Sequence, residues 1–287
     1  MKRVIFSVLV GLALTISSYA KQQLPEKDIA LQLYSLRDDF GKDFAASIKA
    51  VSEAGYTAVE AANYNDGKFY GKTPEAFKAA VEAVGLKVLS SHTGRELNKE
   101  ELANKDFSKA LKWWDTAIDS HLAAGMKYIV TPWMPVPSTL ADLQIYCDYY
   151  NAIGQKCKEK GILYGYHNHA HEFTEIEGKM MYDYMLEHTN PEFVFFQMDV
   201  YWTIIGKQSP VEYFEKYPGR FKLLHIKDKK ELGQSGMVGF DAIFNHTDVA
   251  GVQFLVVEVE QYNYPPAESV KRSLDYLRAC PLVKVHY

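Results

Sequence analysis

The stretch GYHNHAHEF, residues 165 to 173, places three histidines and a glutamate within nine positions. Imidazole and carboxylate groups are common metal ligands and common acid–base groups in enzymes. Two known motifs do not fit, because no paired cysteines accompany the histidines and no second histidine completes an HExxH motif. The segment is therefore a candidate metal site, acid–base site or polar loop, and its role depends on the element that carries it.

One pattern recurs along the chain, in which a helical stretch ends at a glycine or a turn and a short β-rich apolar segment follows. It occurs in residues 53–60, 83–92, 123–133, 159–169, 189–199, 218–228 and 249–260, and IALQLYSLR (29–37) supplies an eighth β segment. Glycine readily takes the left-handed conformation that ends many helices. We therefore predict helix ends at Gly55, Gly85, Gly125 and Gly161.

Eight β segments with helical segments between them predict parallel strands joined by crossover helices. That count in a chain of 287 residues favours a closed barrel over an open doubly wound sheet. No GxGxxG follows the first β segment, and no Pro/Gly/Ser-rich linker divides the chain. We predict an α/β protein with one (β/α)8 TIM barrel domain, residues 21–287.

Polar residues recur at the C-terminal ends of the predicted strands, where barrels of this class carry their chemistry. Asp199, His225 and Glu258 end three successive strands, so they would converge and need a counterion or a proton, which a divalent cation supplies most simply. His167 and His169 share one face of the fifth strand and would reach the same centre if that face points inward. The full set of strand-end positions is Gln32, Tyr34, Arg37, Glu60, His92, Trp133, His167, His169, Asp199, His225, Lys227, Glu258 and Glu260.

The first twenty residues have the pattern of a secretory signal peptide. Lys2 and Arg3 precede an apolar run from Val4 to Ile16, and small residues end at Ala20, after which we expect cleavage. That run is too short to cross a bilayer, and no later stretch reaches the necessary ~20 apolar residues. We expect an exported chain, periplasmic or secreted, without a membrane span once mature.

The amino-acid composition argues against a disulfide-stabilised fold and against nucleic acid as a partner. Cys147, Cys157 and Cys280 are an odd and widely spaced set, which does not resemble a disulfide framework. The net charge is −4 and no Lys/Arg-rich run occurs, so nucleic acid is not expected as a partner. The oligomeric state is left open between a monomer and a homo-oligomer.

At its strand ends the chain resembles the sugar isomerase/epimerase members of the xylose-isomerase-like barrel superfamily. The resemblance covers nearly the whole mature chain and rests on LQLYSLRD (31–38), YTAVE (56–60), YHNHAHEF (166–173), QMDVYW (197–202), LLHIKD (223–228) and VVEVEQY (256–262). It implies one divalent ion, commonly Mn, Co, Mg or Zn. The ligands implied are a glutamate, an aspartate, a histidine and a glutamate from strands five to eight.

This sequence matches three of those four positions and departs from the fourth. Asp199, His225 and Glu258 match strands six to eight, with Glu260 as the rival for the last place. At strand five His167 stands near the position expected for a glutamate, so His167, His169 or Glu172 is the substitute ligand. The metal set that we predict is His167, Asp199, His225 and Glu258.

The resemblance implies proton abstraction next to a sugar carbonyl through an enediolate, in a sugar isomerase or epimerase. His171 is interpreted as a loop residue, and Glu172 as a metal ligand, a residue that orients an imidazole, or an acid–base group. The predicted catalytic residues are Glu258, Glu172, Lys227 and Glu260. The predicted substrate-binding residues are Arg37, Glu60, His92, Trp133, His169 and Trp202.

Two other functions fit the same residues. The enolising groups could expel a substituent one carbon further on, which would make the protein a lyase or hydrolase of 3-keto-glycosides. The predicted export favours this alternative, because phosphorylated sugars are mostly cytoplasmic. The altered strand-five position also permits a non-catalytic carbohydrate-binding barrel. In each case the partner is a small sugar, an oxidised sugar or a glycoside.

Overall fold

A computed structural model that describes residues 26–287 contains eight parallel strands closed into a barrel. Each strand pairs with its neighbour in the chain, and the last pairs with the first. The predicted (β/α)8 TIM barrel is confirmed, whereas the predicted signal peptide lies outside the described residues. The strands are β1 (Ile29–Gln32), β2 (Ala58–Ala61), β3 (Lys87–His92), β4 (Tyr128–Thr131), β5 (Leu163–His167), β6 (Val194–Asp199), β7 (Leu223–Ile226) and β8 (Phe254–Val257).

A principal helix follows each strand and covers the outside of the barrel. Asp43 and Thr73 cap the first two of these helices, since each side chain accepts a backbone N–H of the first turn. The four glycines predicted at helix ends all have positive φ, from 78° to 103°. The helices are α1 (Phe44–Ala54), α2 (Pro74–Glu82), α3 (Ser108–Ala123), α4 (Leu140–Glu159), α5 (Met181–His188), α6 (Pro210–Lys216), α7 (Phe240–Asn245) and α8 (Pro266–Ala279).

Short elements occupy several of the connecting loops. Two-stranded hairpins follow β2 (Tyr64–Asn65 with Lys68–Phe69) and β5 (Glu175–Ile176 with Lys179–Met180). The remaining short helices are Leu33–Leu36, Arg37–Phe40, Lys99–Asn104, His171–Phe173, Val200–Ile205 and Thr247–Ala250. Within residues 26–287, no helix is long and apolar enough to cross a membrane. Cys147, Cys157 and Cys280 are free thiols.

The interior of the barrel is apolar in its lower layers and polar at the C-terminal mouth. Strand alternation turns every second residue inward, so that Phe195, Gln197 and Asp199 of β6 rise from the apolar part to the mouth. The apolar residues that fill the interior are Ala30, Ala58, Leu89, Tyr128, Val130, Phe195, Leu223 and Val256. The sequence therefore separates a packed base from a reactive upper layer within the same eight strands.

Gly165 on β5 leaves room inside the barrel for the Phe195 ring of the neighbouring strand. The two residues are register partners, and a Cβ added at Gly165 would lie 2.6 Å from Phe195 ring atoms. The ring also packs against Tyr128, with centroids 5.6 Å apart, so it has little freedom to move away.

We expect Gly165→Ala to lower the free energy of unfolding by about 1–3 kcal/mol, because overpacking a filled core forces strain. Urea denaturation measures this change. Gly41→Ala is the matched control: its Cβ would come no nearer than 3.4 Å to another atom, so its effect should stay within about 0.5 kcal/mol. Equal effects of the two substitutions would contradict the close packing at Gly165.

Candidate active site

The ends of β6, β7 and β8 bring an aspartate, a histidine and a glutamate together at the mouth. Asp199 and His225 are register partners on adjacent strands and both are fully buried, while Glu258 is 5% exposed. One ligand atom from each of the three lies within 4.8 Å of the others. The structure thus assembles three of the four residues predicted to hold a metal into one compact group, named here the Asp199 group.

Two atoms of the Asp199 group lack hydrogen-bond partners among the described residues. They are Oδ2 of Asp199 and Nδ1 of His225, which lies 3.5 Å from Glu258 Oε2. Burial raises the pKa of Asp199 to about 7, although Lys227 and His225 act in the opposite direction. Buried polar atoms are rarely left unpaired. A cation bound by these atoms would satisfy them and favour the ionised carboxylate.

His225 is oriented by Glu60. Its Nε2 lies 2.6 Å from Glu60 Oε1, which leaves Nδ1 facing Glu258. Burial alone would lower the pKa of His225, but the carboxylates of Glu60 and Glu258 raise it to about 10. A metal ligand must be deprotonated. Metal binding at Nδ1 would therefore displace the proton from this nitrogen, while Nε2 keeps its bond to Glu60.

His167, the fourth predicted ligand, points inward as expected from strand alternation. Its ring centroid lies 4.5 Å from that of His225 and 4.8 Å from that of His92. Burial lowers the pKa of His167, and the neighbouring imidazoles act in the same direction. Its Nδ1 has no partner among the described residues. His167 is thus a neutral imidazole that could bind a metal beside the Asp199 group, although it is not one of the three residues of that group.

A second set of potential ligands consists of His92, His167 and His225. Its nitrogens are less free, because His92 Nε2 lies 2.8 Å from Gln197 Oε1 and His225 Nε2 is bonded to Glu60. His92, predicted to bind substrate, stacks on His225 with ring centroids 5.0 Å apart. These contacts favour the Asp199 group over the three histidines as the cation site.

Glu60 ends β2 among polar side chains of the neighbouring strands. It was predicted to bind substrate, but its carboxylate is fully buried and both oxygens are occupied. Oε1 accepts from Gln32 and His225, and Oε2 accepts from Ser90 and Gln197, at 2.6 to 2.9 Å. Burial would raise its pKa, yet the neighbouring histidines lower it to about 2. The geometry makes Glu60 a residue that positions His225 and Gln197.

Lys227 is a buried cation beside the Asp199 group. Its Nζ lies 2.8 Å from Glu258 Oε2 and 2.6 Å from Glu260 Oε2, and its side chain is 3% exposed. Burial alone would lower the pKa of Lys227, but Glu258, Asp199 and Glu260 together raise it. In turn, Lys227 and His225 overcome burial and hold the pKa of Glu258 well below its usual value. Lys227 is therefore a fixed positive charge, and Glu258 an ionised carboxylate.

Glu172, predicted as a metal ligand, a residue that orients an imidazole or an acid–base group, is fully buried in the loop after β5. Tyr166 donates its hydroxyl to one carboxylate oxygen at 2.6 Å, and the backbone N–H of His169 donates to the other at 2.8 Å. Tyr166 points outward from β5, towards Tyr150 of α4. Glu172 is consequently bonded behind the strand, where it shapes the loop after β5.

His169, predicted to contact substrate, lies at the mouth above His167, with ring centroids 5.0 Å apart. Burial is the main cause that lowers its pKa to about 4, so the ring is neutral at neutral pH. Its Nδ1 has no partner among the described residues. With His171 and Glu172 it forms a third potential ligand set, but both Glu172 oxygens are already bonded.

Three other predicted substrate residues lie around the mouth. Arg37 ties the first and last strand ends together, donating to Tyr262 Oη at 3.1 Å and to the Glu260 carbonyl at 3.4 Å. Trp133 is 44% exposed. The Trp202 ring lies 5.1 Å from Lys227 Nζ, and its indole N–H has no acceptor among the described residues. Trp202 can therefore offer a hydrogen bond and an apolar face together.

Two polar residues that organise this site, Gln197 and Asn168, were not predicted from the sequence. Gln197 bridges Glu60 and His92, and Asn168 joins β5 to β6 by accepting the backbone N–H of Asp199 at 3.1 Å. Gln197 lies two residues before Asp199 and so shares its inward face, a signal that strand alternation contained. Asn168 alternates outward, and nothing in its spacing indicated its contact with Asp199.

The fold and the mouth geometry are accompanied by a family match over most of the chain. The family model described as xylose isomerase-like TIM barrel matches residues 48–280. The protein therefore belongs to the xylose isomerase-like TIM barrel family, as the strand-end motifs predicted.

Two solved structures and an enzyme of known name are similar to this chain. Two solved structures named sugar phosphate isomerase/epimerase, both from Parabacteroides distasonis, superpose with TM-scores of 0.83. One is 36% identical and covers 90% of this chain and 100% of its own; the other is 34% identical and covers 93% and 99%. An inosose dehydratase of Geobacillus kaustophilus is 23% identical over 209 residues, which span 67% of this chain and 64% of that enzyme.

Proposed function

We propose that the protein is a divalent-cation-dependent sugar isomerase or epimerase that removes a proton next to a sugar carbonyl. The observation that carries this proposal is the Asp199 group, three buried residues that could bind a cation beside a charged lysine. Two of its atoms lack hydrogen-bond partners among the described residues. The names of the Parabacteroides relatives support the reaction class.

The donor set fits a divalent cation. Asp199, His225 and Glu258 would hold it, with His167 as the nearest additional donor. Carboxylate oxygens and imidazole nitrogens suit Mn, Co or Zn, and the two carboxylates also suit Mg. When bound, the cation supplies electrophilic stabilisation for the negative charge that develops on the substrate oxygens.

The remaining polar residues divide the work of proton transfer. Lys227 supplies a second fixed positive charge for the enediolate, because its proton is held by three carboxylates. Glu260 is the carboxylate that a substrate can reach, since its side chain is 31% exposed and Glu258 is almost completely buried. We assign Glu260 as the general base and Glu60 as the residue that keeps His225 in orientation.

Hydrogen exchange tests the proposal directly. Wild-type protein incubated in D2O with Mn2+ and candidate ketoses or 3-keto-glycosides should replace the α-proton by deuterium, observed by proton NMR. Glu260→Gln should retain its metal and lose roughly 10²–10⁴-fold in exchange rate, the contribution typical of a general base. Glu258→Gln should instead lose metal. Absence of exchange with every sugar would favour the non-catalytic carbohydrate-binding barrel.

A second candidate function is elimination from the same enediolate. The similarity to an enzyme named inosose dehydratase favours it, because dehydration of a ketone begins with the same proton abstraction. In a 3-keto-glycoside, the base would take the proton at C2, the C1–O bond would break, and the aglycone would leave as an alcohol after protonation. No oxidant is consumed. Release of the aglycone, measured beside deuterium exchange, separates elimination from isomerisation.

The cellular location of the protein bears on the choice between sugar isomerisation and elimination from a glycoside. The predicted signal at residues 1–20 leads us to propose export, where glycosides are more accessible than sugar phosphates. Fractionation of cells that express the full chain tests this, with the mature protein expected outside the cytoplasm.

A further inference from the structure

We propose that a cavity beside Trp133 binds the second ring of a two-ring glycoside, while the ring that reacts lies over the Asp199 group. This inference rests on the proposed function and adds the substrate class. The cavity, named here the Trp133 cavity, has a volume of about 280 Å³ and lies between the loops after β3 and β4 and the helix α4. Its wall includes Gly94, Arg95, Thr131, Trp133, Tyr146 and Tyr150.

Two buried tyrosines on α4 provide free hydroxyl groups in the wall of this cavity. Tyr146 is 6% exposed and Tyr150 is 3% exposed; neither hydroxyl bonds to another residue in the described part of the chain, and neither hydroxyl oxygen is closed off from solvent. Tyr149 differs, because its hydroxyl accepts from Trp114 at 2.8 Å and donates to the Arg95 carbonyl at 3.0 Å. The hydroxyls of Tyr146 and Tyr150 are therefore open to a ligand in the cavity and can hydrogen-bond to the hydroxyls of a sugar.

The charges around the cavity select a neutral ligand. Burial raises the pKa of both tyrosines, which remain hydrogen-bond donors. Arg95 is neutralised, because its guanidinium binds both oxygens of Glu101 at 2.7 Å. The other charged residue in the wall is Glu96, which is exposed. A phosphate or carboxylate would find no free cation in this wall, whereas an uncharged sugar ring would find donors and acceptors.

Trp133 connects the cavity with the reactive centre. Its ring is 44% exposed and lies 5.9 Å from that of His171, measured between centroids. From there His171 stacks on His169 at 5.8 Å, and His169 contacts His167 at 5.0 Å. This row of rings forms a continuous wall from the cavity to His225. A sugar ring over the Asp199 group lies at one end of this wall and the cavity lies at the other, so a single ring cannot occupy both.

The resulting site has the composition expected of a small-molecule pocket, with aromatic walls and a few placed polar groups. Trp133 at the rim offers an exposed apolar face to the aglycone ring, and Tyr146 and Tyr150 offer hydroxyls deeper in the cavity. The strand-end residues bind the keto ring, and the Trp133 cavity adds affinity only when a second ring is present.

The test compares substrates with one and two rings in Trp133→Ala and Tyr146→Phe. With the 3-keto form of a glucose disaccharide, kcat/KM should fall about tenfold in Trp133→Ala, the size expected for one lost aromatic contact, and severalfold in Tyr146→Phe. With methyl 3-keto-glucoside, which has no second ring, the loss in each variant should be smaller than the loss with the disaccharide. Val136→Ala is the matched control, since Val136 lies on the same loop, is 43% exposed and is not part of the cavity wall.

Calorimetric binding of unreactive disaccharides and of methyl glucoside gives a readout that needs no turnover. Wild type should prefer the disaccharides, and Trp133→Ala should lose that preference. Equal losses for one-ring and two-ring ligands, or no preference in wild type, would overturn the inference and leave a cavity that holds water only. Absence of deuterium exchange with any sugar would refute the proposed reaction, while the binding preference would still decide whether the Trp133 cavity takes a second ring.

Discussion

Replacement of Asp199 by alanine is expected to abolish metal retention and to reduce α-proton exchange by a factor of roughly 10³ or more. Asp199 contributes a fully buried carboxylate whose Oδ2 has no partner among the described residues, next to the free Nδ1 of His225. Loss of the cation removes the strongest positive charge near the developing enediolate. Removing one preorganised stabilising group alone costs about 10²–10³ in rate, and loss of the ion should cost more.

Elemental analysis of purified protein after incubation with Mn2+ and buffer exchange measures the first effect. His225→Ala should behave like Asp199→Ala. Asp241→Ala is the control, because Asp241 is an exposed residue on α7. Equal metal content in wild type and all three variants would remove Asp199 and His225 from the ligand set.

Much of the barrel could be predicted because its signals are local and repeated. Helix-ending glycines such as Gly55 and Gly161 carry their reason in the backbone, and both have positive φ. The inward direction of His167, Asp199 and His225 follows from alternation along strands whose C-terminal ends all meet at one mouth. The places of strand-end side chains at the mouth of a closed barrel therefore follow from strand order and alternation, even when their hydrogen-bond partners are not known.

The roles of individual carboxylates could not be predicted, because they depend on which distant residues occupy their oxygens. Glu60 and Glu258 both end strands and read alike in the sequence. In the structure Glu60 is saturated by bonds from β1, β3, β6 and β7, whereas Glu258 remains beside a free nitrogen of His225. Glu172 is bonded by an outward tyrosine of its own strand. Strand alternation says nothing about such partners.

The tyrosines of α4 illustrate the same limit outside the strands. Helical spacing assigns Tyr146 and Tyr150 to a buried face, and both are buried. Burial alone does not reveal that the hydroxyl of Tyr149, between them, both accepts and donates a hydrogen bond. The hydroxyls of Tyr146 and Tyr150 do neither within residues 26–287. Only the assembled loops after β3 and β4 create the cavity that makes this difference functional.

Substitution of Lys227 by methionine is expected to increase the affinity for a divalent cation and to decrease activity. Lys227 Nζ lies within 2.8 Å of both Glu258 and Glu260, and Asp199 also raises its pKa. Removing the ammonium leaves these carboxylates with a larger negative potential, so the Asp199 group should bind Mn2+ at least tenfold more tightly. The proposed role in charge stabilisation predicts a loss of about 10²–10³ in exchange rate, even at saturating metal.

Stability should change in a manner that depends on the metal. Breaking a buried ion pair by removal of one partner typically costs about 3–5 kcal/mol, because the other charge is left unpaired. In metal-free protein, Lys227→Met should therefore lower the free energy of unfolding by an amount of that order. Added Mn2+ should restore a larger share of stability in this variant than in wild type, because a ligand that binds only the folded state stabilises according to its affinity.

Titration calorimetry with Mn2+, urea denaturation with and without the metal, and the exchange rate together decide the role of Lys227. Lys227→Arg keeps the positive charge. It should retain most of the free energy of unfolding and bind Mn2+ with an affinity close to that of wild type. A lysine that served only to pair with Glu258 would leave the exchange rate of the metal-saturated Lys227→Met variant unchanged. A lysine that stood in for the cation would leave wild-type activity insensitive to chelation. The proposed mechanism requires both positive charges, so chelation and Lys227→Met should each inactivate the enzyme.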